Sequence, residues 1–155
     1  MMMSSKFSKP LKLSDLKTYH VGALESAAHR AMRKHKDALL QEYSLTGMQW
    51  YIIGTVADTG EAGIRTTDLA QTLGTTMGFL TNNVNLLVSS GILVRRENDE
   101  DSRSTFVVMK SNYRKKYQQI EVALRKKLRE TIYTHVTPEE LETYVNVITK
   151  LSKLK

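Results

Sequence analysis

The 155-residue sequence contains no cysteine, only two prolines and few aromatic residues, which make up 7% of the chain. The lack of cysteine excludes a disulfide framework, a cysteine-based zinc finger and a thiol redox sensor. No apolar run approaches the roughly 18 residues that a membrane helix needs, and the polar, basic segment 1–12 lacks the apolar centre of a secretory signal. We therefore expect a cytoplasmic protein. The scarcity of proline and aromatic residues favours a mostly helical fold.

Catalytic and metal-binding patterns are also missing. The histidines His20, His29, His35 and His135 do not fall at a spacing of four residues, so the sequence predicts no dedicated metal site. No Ser/His/Asp set, glycine-rich phosphate loop or carboxylate pair stands out. We expect no enzyme activity, no metal and no cofactor.

The chain has an excess of positive charge, which indicates the kind of partner it binds. The chain has 23 lysines and arginines against 16 acidic residues, for a formal net charge of +7. A dimer would carry twice this charge, which favours a polyanionic partner such as DNA, RNA or a membrane surface. Hydrophobic residues, at 41%, suffice for a folded core of one domain.

Helical periodicity dominates the first half of the chain. Residues 14–43 read as one helix of about 43 Å, longer than a small lone domain needs and typical of contact with a partner subunit. Thr46, with Gln49 three residues later, forms a capping-box pattern that opens a second helix. Thr66 or Thr67 then begins a third helix, which stops at Gly74.

The second half combines helices with a short β-ribbon. A fourth helix, 76–90, ends before Gly91, and two strands at 92–94 and 106–109 flank a charged segment that reads as a wing. A helix over 113–135 follows. Thr137-Pro138-Glu139-Glu140 opens the last helix with a capping residue and a proline at the first helical position.

This ordered set of elements and residues resembles the MarR family of transcriptional regulators over roughly residues 16–152. The matching segments are 45–50 (LTGMQW), Asp68-Leu69-Ala70, Leu87 followed by 91–96 (GILVRR), and Asp101-Ser102-Arg103 with Val107 beyond. The resemblance implies a mainly α fold with a small β-wing, a winged helix-turn-helix domain flanked by N- and C-terminal dimerisation helices. The expected divisions are a basic tail 1–13, a dimerisation helix 14–43, a DNA-binding lobe 44–110 and C-terminal helices 111–155 that complete the dimerisation region.

The fourth helix is the expected recognition helix. Its periodicity turns Leu80, Val84 and Leu87 inward, brings Asn83 nearer the inner face, and leaves Leu86 exposed. The opposite face presents Gly78, Asn82 and Asn85, with Thr81 nearby, and asparagine can pair with an adenine edge in the major groove. Thr75 and Thr76 are expected to contact phosphate at the helix N-terminus. The alternative is an amphipathic helix that merely has a small polar face.

This helix departs from the family pattern. It contains no lysine or arginine, whereas family members often have an arginine where this chain has Asn82. We therefore expect the wing and flanking cations to supply affinity while Asn82 and Asn85 discriminate bases.

The wing supplies those cations. Arg103 could enter a minor groove, whose negative potential favours a guanidinium, and Asp101 could hold Arg103 in place. Arg95 and Arg96 at the base of the wing, and Arg65 before the third helix, are expected to contact phosphates. The alternative for the wing is a local salt bridge with no role in DNA binding.

The two ends of the chain are expected to form the dimer. In the family the terminal helices of two subunits interlock, and the candidate residues here are Leu16, Tyr19, Leu141, Val145, Ile148 and Leu151. The last four fall on one helical stripe.

An effector site is implied only by the resemblance. Family members often bind small phenolic or amphipathic compounds beside the DNA-binding lobe, and the candidate residues are His29, Met32, Met48, Tyr51 and Thr55. The alternative for each is ordinary core packing.

The sequence thus predicts a MarR-type regulator, a repressor that binds near-palindromic promoter DNA as a homodimer and is released by a small aromatic or amphipathic effector. The alternative is a winged-helix protein-interaction module within a larger assembly. It would be monomeric and indifferent to duplex DNA.

Overall fold

The computed structural model describes residues 12–97 and 105–154, which fall into two compact units divided between Lys34 and His35. The helices are α1 (Thr18–Gln41), α2 (Gly47–Asp58), α3 (Thr66–Leu73), α4 (Met77–Ser89), α5 (Arg114–Thr131) and α6 (Pro138–Leu151). The strands are β1 (Ile64–Arg65), β2 (Leu93–Glu97) and β3 (Thr105–Met109). Short 3-10 turns occur at Leu13–Asp15, Ser111–Tyr113 and Tyr133–His135. The mainly α fold with a small β element is confirmed.

The first helix is shorter than predicted. It has 24 residues, or about 36 Å, rather than the expected span 14–43. At its end Ser44 adopts a left-handed backbone with φ of 57°, and Leu45 N donates to Leu40 O at 3.2 Å. Because this stop is made by a serine rather than by glycine or proline, no clear signal in the sequence marks it.

Two predicted helix starts are confirmed in detail. At α2, Thr46 Oγ1 accepts from Gln49 N at 3.2 Å and Gln49 Oε1 accepts from Thr46 N at 3.0 Å, which completes the capping box. Thr137 and Glu140 form the same reciprocal pair at α6, with bonds of 2.8 and 3.2 Å. Each pair satisfies two backbone N–H groups that the first helical turn leaves without partners.

The start of the third helix was predicted wrongly. Arg65 occupies the N-cap position of α3 rather than Thr66 or Thr67, and its side chain makes no capping hydrogen bond. The reason is that β1 runs directly into α3, so the chain arrives at the helix already extended and paired to the sheet.

The sheet has three strands in the order β1-β3-β2, all antiparallel, instead of the two strands predicted. β1 has only two residues, too few for a periodic pattern in the sequence. Its approach depends on Gly63, which has φ of +74° and whose added Cβ would lie 2.8 Å from Val107 O and 2.7 Å from Val108 Cγ2. Glycine therefore allows the chain to lie against β3.

The core of the second unit joins α2, α3, α4, the sheet and α5. Its largest fully buried side chains are Ile52, Ile53, Val56, Leu69, Leu80, Val84, Leu87, Leu93 and Val107. Trp50 of α2 and Tyr117 of α5 pack with ring centroids 5.4 Å apart.

The expected helix 113–135 is shorter, since α5 covers Arg114–Thr131 and a 3-10 turn follows at Tyr133–His135. Within the described ranges, no helix is both long and apolar enough to span a membrane.

Candidate nucleic-acid interface

α3 and α4 are joined by a three-residue turn, 74–76. Gly74 has a left-handed backbone with φ of 61°, and Thr75 N donates to Ala70 O at 3.0 Å, which ends α3. Thr76 then caps α4 by accepting from Phe79 N at 3.4 Å. This bond uses the Thr76 oxygen as an acceptor, so its hydroxyl hydrogen remains available to a phosphate.

The two faces of α4 differ as the sequence predicted. Leu80 and Val84 have no exposed surface and Leu87 has 1%, whereas Gly78, Asn82 and Asn85 are exposed and Thr81 is half-buried. A Cβ added at Gly78 would meet nothing within 4 Å, so the fold itself does not require glycine there. The contacts of these residues with DNA remain predictions.

Asn83 has a structural role. It is 9% exposed, and its Nδ2 donates to Phe79 O at 2.9 Å, one turn earlier in the helix. This bond satisfies a buried amide within α4.

Two apolar residues of α4 that the sequence did not predict to be exposed have exposed side chains. Met77 is 42% exposed and Phe79 is 50% exposed, while Leu86, which the periodicity did predict to be exposed, is 57% exposed. Apolar residues in a helix usually indicate core. For Phe79 the available signal was its helical position, since about 100° per residue places it only about 20° from Leu86.

Arg95 and Asn85 meet directly. An Arg95 guanidinium N–H donates to Asn85 Oδ1 at 2.7 Å, which joins β2 to α4. A guanidinium has no acceptor, so the amide must turn its oxygen to Arg95 and its NH2 away. The sequence predicted two separate contacts, Arg95 with a phosphate and Asn85 with a base. In the structure the two side chains are joined by a hydrogen bond.

Arg96 also has partners within the protein. Its two terminal nitrogens donate to Glu61 O at 3.1 Å and Ala62 O at 2.6 Å, which ties β2 to the loop before β1. The exposed Arg65 lies on β1 with its guanidinium 5.6 Å from the centre of the Phe106 ring, on the paired strand β3. Arg65 is therefore more available to a phosphate than Arg96.

Asp101 and Arg103 lie outside the described residues. Their predicted roles in the wing, a minor-groove contact for Arg103 and support from Asp101, stay predictions.

The effector candidates are divided between the two units. On α1, His29 is exposed and Met32 half-buried in the first unit. In the second unit, Met48 packs against the core, Thr55 Oγ1 donates to Tyr51 O at 2.8 Å, and the Tyr51 hydroxyl accepts from Lys36 Nζ at 3.3 Å. Tyr51 is nevertheless 46% exposed. An effector role for these residues stays a prediction.

The dimerisation candidates include an exposed apolar row on α6. Val145, Ile148 and Leu151 are 47%, 41% and 56% exposed, and Leu141 is half-buried. Near the start of the first unit Tyr19 is 63% exposed and Leu16 is half-buried. Large apolar side chains in one exposed row are typical of a surface that another chain covers.

Two ionisable groups of α5 have shifted pKa values. Burial raises the pKa of the Tyr117 hydroxyl, and the carboxylates of Glu121 and Asp58 raise it further. The pKa of Lys127 is raised mainly by its hydrogen bond to Glu42, which links α5 to the segment after α1.

Over residues 12–97 and 105–154, no group of three or more His, Asp or Glu is placed to hold a metal ion.

A helix-turn-helix made by α3 and α4, followed by the antiparallel pair β2 and β3, defines a winged helix-turn-helix protein. Residues 43–104 match the model of the MarR family. This match confirms the family that the sequence predicted, over the winged helix-turn-helix part of the chain.

Solved structures share this fold at low sequence identity. A mutant of MarR from E. coli, solved with operator DNA, is 21% identical with a TM-score of 0.74 and covers 84% of this chain and 92% of its own. The MarR family regulator Sco3205 from Streptomyces coelicolor, also solved with DNA, is 18% identical with a TM-score of 0.76, over 94% and 91%. NadR in complex with 4-hydroxyphenylacetate is 21% identical with a TM-score of 0.71, over 95% and 100%. None of the curated proteins compared with this chain matched it.

Proposed function

We propose that this protein is a homodimeric transcriptional repressor that binds near-palindromic promoter DNA through α4 and the wing. The observation that carries the proposal is the outward face of α4, where Gly78, Asn82 and Asn85 are exposed opposite a fully buried apolar face. Such a helix can enter a major groove without giving up any core contact. Two similar regulators solved with DNA support the same use of the fold.

Individual residues take distinct roles in this proposal. Asn82 pairs with an adenine edge through both its donor and its acceptor, while Asn85 offers its NH2 because its oxygen already accepts from Arg95. Thr75, Thr76 and Arg65 contact phosphates, and Arg103 enters the minor groove with support from Asp101. Arg96 maintains the base of the wing.

Dimerisation follows from the ends of the chain. The exposed row Val145, Ile148 and Leu151 on α6 needs an apolar cover, which a second copy supplies. Two symmetric copies of α4 would then read half-sites about one helical turn, or roughly 34 Å, apart.

The proposed function includes release from DNA by a small molecule. NadR, a structural relative, was solved with 4-hydroxyphenylacetate, an aromatic acid. Here the exposed Tyr51 lies beside Lys36, whose ammonium could pair with a carboxylate. A small aromatic acid is thus the effector class that this chain would take, with His29, Met32, Met48 and Thr55 as the other candidates.

The test is a binding measurement with a matched variant. Duplexes enriched from a random pool by the wild-type protein are labelled and titrated by fluorescence anisotropy at several salt concentrations, beside a scrambled duplex. We expect affinity to fall steeply with salt, and Asn82→Ala to lose the preference for the enriched duplex while Asn146→Ala on α6 retains it. A monomer in light scattering that ignores duplex DNA would instead indicate a protein-interaction module.

A further inference from the structure

Three large apolar side chains lie exposed on the recognition helix, and Phe79 and Leu86 are the most exposed of them. Phe79 is 50% exposed and Leu86 is 57% exposed, although α4 buries three other apolar residues almost completely. Exposure on this scale leaves apolar surface in water, a cost that a binding partner can remove.

The positions of the two side chains are regular. Seven residues separate them, which places them on nearly the same side of α4 and about 10 Å apart along its axis. Asn82 lies between them on the same flank, three residues after Phe79 and four before Leu86. The stripe therefore alternates apolar, polar and apolar.

This alternation favours DNA over a protein partner. An amide buried in an apolar protein interface would need its own hydrogen-bond partners, or it would cost free energy. In the major groove, adenine offers a donor and an acceptor to an asparagine, and thymine offers a 5-methyl group to an apolar side chain. About 10 Å along the helix corresponds to roughly three base-pair steps of 3.4 Å, so one A·T-rich stretch could satisfy all three side chains.

The lack of charge on α4 also favours adenine and thymine as the bases it contacts. The helix has no lysine or arginine, the side chains that most often read guanine, so its base discrimination must come from amides and apolar groups. The Asn85 oxygen already accepts a hydrogen bond from Arg95, so only the NH2 group of Asn85 remains free to contact a base.

We infer that Phe79 and Leu86 are specificity residues that recognise the 5-methyl groups of thymines on either side of the base read by Asn82. This inference rests on the proposed function, DNA binding through α4. It adds an operator chemistry, a pair of methyl contacts in each half-site that flank an adenine.

The experiment replaces thymine by uracil, which removes only the 5-methyl group. A duplex enriched by the wild-type protein is made with thymine or with uracil at single positions, and binding is compared by anisotropy. Loss of one methyl contact is worth about a fourfold drop in affinity, or about fifteenfold when both half-sites are changed. For the wild-type protein, we expect two sensitive positions in each half-site.

The variants assign each position. Phe79→Ala should lose the thymine-to-uracil difference at one position and Leu86→Ala at the other, each keeping the remaining one. Val122→Ala, which trims a 69% exposed side chain on α5, should keep both. Thermal unfolding of each variant checks folding, and the two independent sites keep the test valid if one variant fails to fold.

The outcomes separate the two levels of the claim. Wild-type protein that enriches no sequence overturns the proposed function and this inference with it. Sequence-specific binding that is indifferent to uracil overturns the inference alone. The same holds if Phe79→Ala and Leu86→Ala keep the full uracil effect, since the methyl groups would then act through DNA shape or through other residues.

Discussion

An Arg95 guanidinium N–H donates a 2.7 Å hydrogen bond to Asn85 Oδ1, so the base of the wing holds a side chain of the recognition helix. The bond crosses between β2 and α4, so it couples the strand that begins the wing to the helix proposed to read DNA. Because arginine can only donate, the bond fixes which end of the Asn85 amide is free. Arg95 thus acts as a positioning residue for Asn85.

A double-mutant cycle on DNA affinity tests this coupling. Asn85→Ala and Arg95→Ala should alter preference at the same operator position, with a coupling of at least about 0.5 kcal/mol, since contacting residues are not additive. If Arg95 only contacted phosphate, its loss would weaken all duplexes alike and add to the effect of Asn85→Ala.

Arg96 provides the control for that cycle. It donates to Glu61 O and Ala62 O instead of to α4, so Asn85→Ala and Arg96→Ala should be additive. Equal coupling for both arginines would indicate a general disturbance of the wing and would remove the specific role of Arg95.

Gly63 is predicted to be essential for the edge strand β1. Gly63→Ala should lower the free energy of unfolding by roughly 2–4 kcal/mol, because the left-handed backbone disfavours alanine and the new Cβ overlaps Val107 O. Gly60→Ala is the matched control: Gly60 has φ of +62° but open space around it, so its cost should be about 1 kcal/mol. Urea denaturation measures both, and equal losses would refute the steric argument.

The apolar row on α6 predicts the effect of a buried charge on assembly. Ile148→Asp should convert the dimer into a monomer, as seen by size exclusion with light scattering, while circular dichroism stays helical. Asn146→Asp adds the same charge on another side of α6 and should leave the dimer intact. Dimers from Ile148→Asp would place the interface elsewhere.

Tyr117 predicts an alkaline loss of stability. Its pKa is raised in the folded state, so the folded form holds the proton more tightly than the unfolded form. The resulting stability is present below the ordinary pKa of about 10 and is lost as pH rises through the folded value. The unfolding free energy of Tyr117→Phe should therefore fall less steeply above pH 10 than that of the wild-type protein. Each protein is compared with its own unfolding free energy at pH 7. Identical slopes for both proteins would contradict this assignment.

The sequence predicted the features that arise from local chemistry. Both capping boxes, at Thr46 and Thr137, are present, and the burial of Leu80, Val84 and Leu87 follows from helical spacing alone. These predictions are confirmed because a helix cap and the buried face of a helix depend on residues only a few positions apart.

The failures arise from contacts between distant parts of the chain. β1 exists because Gly63 lets two residues pair with β3, more than forty positions later, and it displaced the predicted cap of α3. The Arg95–Asn85 bond and the Arg96 contacts with 61 and 62 also depend on the folded sheet. No local pattern encodes such partners.

The central claim, that two copies of α4 read a symmetric site in duplex DNA, is tested most directly by sequencing duplexes that the wild-type protein enriches from a random pool. We predict two inverted half-sites with centres about 10 base pairs apart, each rich in A·T pairs. Enrichment of a single unpaired site, or of no sequence at all, would contradict the account.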